Sequence, residues 1–218
     1  GKDTVSGYLC LPDHKGVYPA VILIHEWWGM NDWVKENAKT FAMRGYAALA
    51  IDLYRGKVAK TPDEAHEIMR GLPEDRTLRD LKAAFQYLKL RPETNDNKIG
   101  VIGWCMGGGY SLMSAVNITE LSACVICYGR LVTDSTSINA INAPLLGIFG
   151  EADRGIDPND VRQFEKDARA MGKNVEMILY PNARHAFMNP NNDAGYSAAS
   201  ASDAWKRVFE FFDSTLTK

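Results

Sequence analysis

Apolar runs of strand length alternate with segments of helical period along almost the whole chain. Tyr18–His25 is a near-continuous apolar run, the pattern of a strand buried on both faces. Trp33–Arg44 follows, with Trp33, Val34, Ala38, Phe41 and Ala42 at helical spacing and Gly45 as the stop. Tyr46–Leu53 is the next predicted strand. Thr61-Pro62-Asp63-Glu64 has the marks of a helix start: a capping hydroxyl, proline in the first turn, and acids at the positive end of the dipole. A helix over Asp75–Leu90 presents Leu78, Leu81, Ala84, Phe85 and Leu88 as one stripe.

Lys98–Trp104 reads as a strand that enters a Gly-rich turn and then a helix over Gly107–Val116. Strands are predicted at Ala123–Tyr128, Pro144–Phe149 and Val175–Tyr180. Helices are predicted from Asp157-Pro158 to Met171 and over Ala199–Leu216. This alternation predicts an α/β fold: a mainly parallel sheet with helices on both faces. The 218 residues suit one domain over 1–218, with no repeat or linker.

Composition narrows the partners. A formal net charge of -2 gives no reason to expect nucleic acid or an anionic membrane surface. The longest apolar stretches, around Val21–Ile24 and Ala47–Ile51, fall far short of the roughly 20 residues that cross a bilayer. The four cysteines, Cys10, Cys105, Cys124 and Cys127, do not have the density of a disulfide framework. Free thiols favour a reducing, cytoplasmic setting, although a start at Gly1 is compatible with a removed export signal. Cys124 and Cys127 form a C-x-x-C pair, but they lie inside an apolar run with no second pair and no nearby His. Core packing is the better reading, and no metal or cofactor is expected. Asn117-Ile118-Thr119 matches a glycosylation sequon, a short and weak signal.

The chemistry gathers at Gly103-Trp104-Cys105-Met106-Gly107, which has the G-x-nucleophile-x-G form of a nucleophile elbow with Cys in place of Ser. A strained strand-to-helix turn lifts the nucleophile clear of the sheet, and close packing there requires Gly103 and Gly107. The helix N-terminus favours the thiolate and offers the Met106 N–H to an oxyanion. The segment is neither a P-loop nor a complete dinucleotide fingerprint. An elbow needs an acid and then a His downstream. Asp153 lies just past the strand Pro144–Phe149. His185, the only His after Cys105, lies just past the last strand. Glu151 and Asp157 compete for the acid role, but Asp157 precedes Pro158 and reads as a helix cap. His185 would take the thiol proton and later activate water, while Asp153 orients the ring.

The sequence resembles the dienelactone hydrolase family of α/β-hydrolases over nearly its whole length. The likeness rests on His25-Glu26-Trp27-Trp28-Gly29, Asp52-Leu53-Tyr54, Gly103-Trp104-Cys105-Met106-Gly107-Gly108, Gly150-Glu151-Ala152-Asp153 and His185-Ala186-Phe187. It implies a compact, lid-poor fold, a Cys-His-Asp triad and hydrolysis of small esters or lactones; a monomer and a homodimer are both open. It further implies that Glu26 contacts the thiol and helps to activate it, and that Trp27 supplies a second oxyanion N–H. A fixed charge at Glu26 would, however, oppose thiolate formation.

One departure concerns specificity. Where the resemblance places a carboxylate-gripping arginine, four residues after His185, this chain has Asn189, and a second family arginine has no clear match near Pro62. Arg130 is a candidate replacement, or simply a solvated residue at a strand end. Trp27, Trp28, Tyr54, Trp104, Phe187 and Tyr196 are candidates for an apolar pocket wall. The competing function class is a non-hydrolytic reactive-thiol protein, redox-sensing or binding, on the same fold. No feature points to the groove of a thiol peptidase.

Overall fold

The computed structural model describes residues 3–217, so Gly1 lies outside the described residues. One seven-stranded sheet organises them, in the order β1-β3-β2-β4-β5-β6-β7. The strands are β1 (Ser6–Cys10), β2 (Tyr18–Ile24), β3 (Ala47–Asp52), β4 (Thr94–Trp104), β5 (Ala123–Cys127), β6 (Leu145–Gly150) and β7 (Val175–Tyr180). All pairings are parallel except β1 with β3. The apolar runs become strands because both faces are covered: every residue of β3, β5 and β6 is buried.

The helices are α1 (Asp32–Met43), α2 (Pro62–Arg70), α3 (Glu74–Lys89), α4 (Met106–Asn117), α5 (Ser135–Ala140), α6 (Pro158–Ala170) and α7 (Ala198–Leu216). Phe41 of α1 packs against Phe209 and Phe212 of α7, so these two helices share one face. On the other face α3 touches α4, α4 touches α5, and α5 touches α6. Start signals seen in the sequence act as read: the Thr61 side chain accepts the Glu64 N–H at the head of α2, and Asp157 accepts the Asn159 N–H at the head of α6.

Two elements carry no clear mark in the sequence. Strand β1 is an edge strand containing Gly7 and is only partly buried, so it has no apolar run. Helix α5 is six mostly polar residues, capped by Asp134. The sheet order also sets where a site can form. The chain steps from β2 to β3 in one direction and then crosses back to β4 on the other side of β2. The carboxyl ends of β2 and β4 thus flank a topological switch point, where open α/β sheets hold their ligands.

Candidate active site

Cys105 caps α4 directly after β4, with φ 55 and ψ -117. That left-handed backbone at a residue with a Cβ costs roughly 1–3 kcal/mol and persists only where its surroundings enforce it. They do so by close approach. The Cys105 N–H bonds to the Cys127 carbonyl at 3.0 Å. A Cβ on Gly107 would collide with the carbonyl oxygens of Ile24 and His25, and one on Gly103 with the Gly107 backbone. The elbow is wedged between the ends of β2 and β5, and the small residues are what let it fit.

His185 and Asp153 reach Cys105 from two later loops. His185 Nε2 is 3.1 Å from Cys105 Sγ, and its Nδ1 is 2.7 Å from Asp153 Oδ2. Asp153 Oδ1 accepts the N–H groups of Gly155 at 2.7 Å and Ile156 at 3.2 Å, which fixes the loop after β6. The Asp153 side chain is 1% exposed and that of His185 37%, so the acid is sheltered and the ring opens to solvent. Burial works against the His185 cation. The bonds to Asp153 and Cys105 outweigh it and hold the ring well above the usual imidazole range, at about 10. Burial likewise opposes the Asp153 anion, but His185 and the two N–H donors keep it below the usual carboxylate range. The competing acids stand elsewhere: Glu151 pairs with Arg162 on the surface at 2.6 Å, and Asp157 caps α6.

Glu26 lies just past β2 and is 2% exposed. Its Oε2 accepts the Asn189 side-chain amide at 2.6 Å, and its Oε1 accepts the Tyr128 hydroxyl at 3.4 Å. Burial raises its pKa to about 7 against the lowering influence of Asn189, His185 and Tyr128. Among the described residues no hydrogen bond joins Glu26 to Cys105; its carboxylate oxygens are taken up by Asn189 and Tyr128. Asn189 and Tyr128 were not foreseen as partners of Glu26. The only local hint was that an arginine position carried a neutral amide. His25 holds the same loop from beneath. Its Nε2 accepts the Leu53 N–H at 3.3 Å, so the ring is neutral and Nδ1 donates to the Glu26 carbonyl at 2.6 Å. Burial lowers its pKa accordingly.

The aromatic wall is only partly assembled. Trp104 is not a pocket residue: it is fully buried, with its ring against Trp33 of α1 and Trp205 of α7. Alternation along a strand sends it into the core one step before the chain turns at Cys105. Phe187 is not one either, being fully buried between Tyr128 and Tyr180. Tyr54 is also buried, and its hydroxyl meets Met106 Sδ at 3.2 Å, bracing the first turn of α4. Trp27 and Trp28 are half-buried and edge-to-face, with centroids 5.1 Å apart. Tyr196 is exposed. Arg130 is exposed just beyond Gly129, whose backbone packs on Gly108 and Gly109.

The remaining cysteines stand apart from this chemistry. Cys124 and Cys127 are free thiols buried on β5, and the Cys124 thiol meets the Ser111 carbonyl at 3.4 Å. Among the described residues no three His, Cys, Asp or Glu side chains gather as a metal site. No helix of the described residues is long and apolar enough to cross a membrane.

The sheet order, the elbow after β4 and the acid and histidine after β6 and β7 define an α/β-hydrolase fold. The chain belongs to the dienelactone hydrolase family, whose family model matches residues 5–216. It is 34% identical to "Protein usf" of Aquifex pyrophilus, over 98% of this chain and 94% of that one. It is 30% identical to a Methylorubrum extorquens protein named "Putative carboxymethylenebutenolidase", over 95% of this chain and 76% of that one. A crystal structure described as a "Putative Dienelactone Hydrolase" from Klebsiella pneumoniae superposes with a TM-score of 0.86. It is 28% identical and covers 96% of this chain and 93% of its own. Membership makes the chain a hydrolase of this type, acting on a small molecule.

Proposed function

We propose that this hydrolase cleaves small carboxylic esters or lactones through Cys105, His185 and Asp153, with a thioester acyl-enzyme. The observation that carries the reading is the continuous contact from Cys105 Sγ through the His185 ring to Asp153, at 3.1 and 2.7 Å. His185 takes the thiol proton, and the sulfur attacks the ester carbonyl. The raised His185 pKa favours the ring as holder of the proton once that proton has left the thiol. Charge developing on the carbonyl oxygen meets the N–H of Met106, which as the first residue of α4 has no intrahelical acceptor, and that of Trp27. Among the described residues no turn or loop hydrogen bond uses either donor.

Collapse of the tetrahedral intermediate breaks the C–O bond, and His185 returns its proton to the departing oxygen. Water then attacks the thioester with His185 as base, the thiolate leaves, and the acid is released. Asp153 holds the ring in the required tautomer and stabilises its cation. Glu26 titrates near pH 7, so near neutrality it is partly protonated and opposes the thiolate less than a fixed carboxylate would. Its place in the reaction is to tune the elbow's surroundings, held there by Asn189 and Tyr128.

Turnover of 4-nitrophenyl butyrate tests the reading. The purified protein should release nitrophenol continuously, and Cys105→Ala should abolish release. Equal turnover in that variant would overturn the assignment. A burst without continued release would show acylation without hydrolysis and would overturn the turnover claim.

A further inference from the structure

His25 stands directly after β2, one residue before Glu26, and is fully buried. Its ring bonds in two directions. Nε2 accepts the Leu53 N–H at 3.3 Å from the end of β3, so the ring proton sits on Nδ1, which donates to the Glu26 carbonyl at 2.6 Å. That carbonyl and the Trp27 N–H belong to one peptide group. Among the described residues every peptide bond is trans, and a trans peptide is planar, so the Trp27 N–H points away from the carbonyl that His25 holds. The Gly29 N–H donates to the same oxygen at 3.2 Å and closes the turn. Rotation of this peptide would therefore leave a buried imidazole N–H without its acceptor.

The same ring also borders the other oxyanion donor. His25 and Tyr54 pack edge-on, with centroids 4.7 Å apart, and the Tyr54 hydroxyl meets Met106 Sδ at 3.2 Å. The carbonyl oxygens of Ile24 and His25 lie where a Cβ on Gly107 would stand, so the end of β2 abuts the first turn of α4. The Ala59 N–H donates to the Trp28 carbonyl at 2.9 Å and ties the loop after β3 to the loop after β2. His25 thus sits between the peptide that carries the Trp27 N–H and the side chain that braces Met106. Its two hydrogen bonds both go to backbone, and neither goes to Cys105, His185 or Asp153.

We infer that His25 is a positioning residue for the oxyanion site: its Nδ1–H fixes the Glu26–Trp27 peptide so that the Trp27 N–H faces the developing oxyanion beside that of Met106. This rests on the esterase reading above and adds the residue that aims its second donor. A donor stabilises the transition state fully only when it is aimed beforehand, because turning a peptide during the reaction would offset the gain.

Two substitutions separate the two bonds of the ring. The amide nitrogen of Asn falls near the place of Nδ1, so His25→Asn keeps a donor for the Glu26 carbonyl and loses the acceptor for Leu53. Gln reaches one atom further, so His25→Gln keeps the acceptor and loses the donor. With 4-nitrophenyl butyrate, His25→Gln should lower kcat by about 10²-fold with KM within about threefold of the wild type, and His25→Asn should restore most of that loss. Alkylation of Cys105 by iodoacetamide displaces iodide and builds no oxyanion, so both variants should label at close to the wild-type rate. Turnover in His25→Gln near that of the wild type, an equal loss of turnover in both variants, or a parallel loss of labelling would overturn the proposal. If His25→Gln does not fold, His25→Asn decides alone: turnover retained supports the donor role, and turnover lost with labelling intact overturns it. If neither folds, the role of His25 is structural and the proposal is overturned.

If the wild type turns over no ester, the esterase reading fails separately, and a trifluoromethyl ketone, 1,1,1-trifluorohexan-2-one, reads the site without turnover. The Cys105 sulfur adds to its carbonyl carbon, the carbonyl electron pair moves to oxygen as an anion, and His185 keeps the thiol proton. Affinity for this adduct, followed by fluorine NMR, should fall by about 10²-fold in His25→Gln. Equal affinity in that variant, or no adduct in the wild type, overturns the proposal.

Discussion

The side-chain amide of Asn189 donates to Glu26 Oε2 at 2.6 Å, tying the loop after β7 to the loop after β2. Both residues are buried, and the donor is neutral. Burial therefore raises the Glu26 pKa from 4.5 to about 7. Between these values the folded protein binds a proton more tightly than the unfolded chain does. The Glu26 contribution to stability is thus most favourable below about pH 4.5, is lost as the pH rises, and levels off above about 7. Glu26→Gln should remove this loss. Its stability relative to wild type should improve by up to about 3 kcal/mol between pH 5 and pH 8, measured by urea unfolding. A pH-independent difference would mean that Glu26 stays ionised throughout.

Asp153→Asn should keep the fold and lose most activity. The amide cannot stabilise the His185 cation and favours the wrong tautomer, so ester turnover should drop by about 10³- to 10⁴-fold. The His185 pKa, now held high by Asp153 and Cys105, should fall. Iodoacetamide labelling of Cys105 at neutral pH should slow with it. Labelling at the wild-type rate would show that thiolate formation does not depend on Asp153.

Gly107 and Gly172 separate two reasons for glycine. Gly172 has φ +73 with open space around it, so Gly172→Ala should cost about 1 kcal/mol from backbone strain alone. At Gly107 a Cβ meets the Ile24 and His25 carbonyl oxygens, which are backbone and cannot swing aside. Gly107→Ala should cost more than about 3 kcal/mol or prevent folding, and any folded fraction should have lost turnover with the displaced elbow. Similar losses of stability in both variants would refute the wedge.

Trp104→Phe should lower stability without changing KM for any ester. The indole fills space between α1 and α7, and shrinking a fully buried ring leaves a cavity, here worth about 1–3 kcal/mol. A raised KM with unchanged unfolding would return Trp104 to the substrate pocket.

Cys105, Asp153 and His185 were legible because each sits where an apolar strand run stops and turn chemistry begins. That boundary is a local signal, and the order of the three along the chain supplies the rest. Strand β1 was not legible, because an edge strand that is only partly buried carries no apolar run. Trp104 misled because nearness to Cys105 in sequence does not imply a shared face. The partners of Glu26 were invisible for another reason. Tyr128 and Asn189 lie 102 and 163 residues away, and no local pattern encodes contacts of that range.

The position of β7 has a consequence for reactivity. It is the last strand of the sheet, paired only with β6, and the loop behind it carries His185. Cys105 sits instead between the central strands, so the two halves of the contact differ in how readily they open. Edge elements exchange with solvent at lower free energy than central ones. An opening of β7 would carry His185 away from Cys105 while the thiol stays in place. Conditions that loosen this edge should therefore silence the thiol well before the molecule unfolds, and amide exchange along Val175–Tyr180 should track the loss of alkylation.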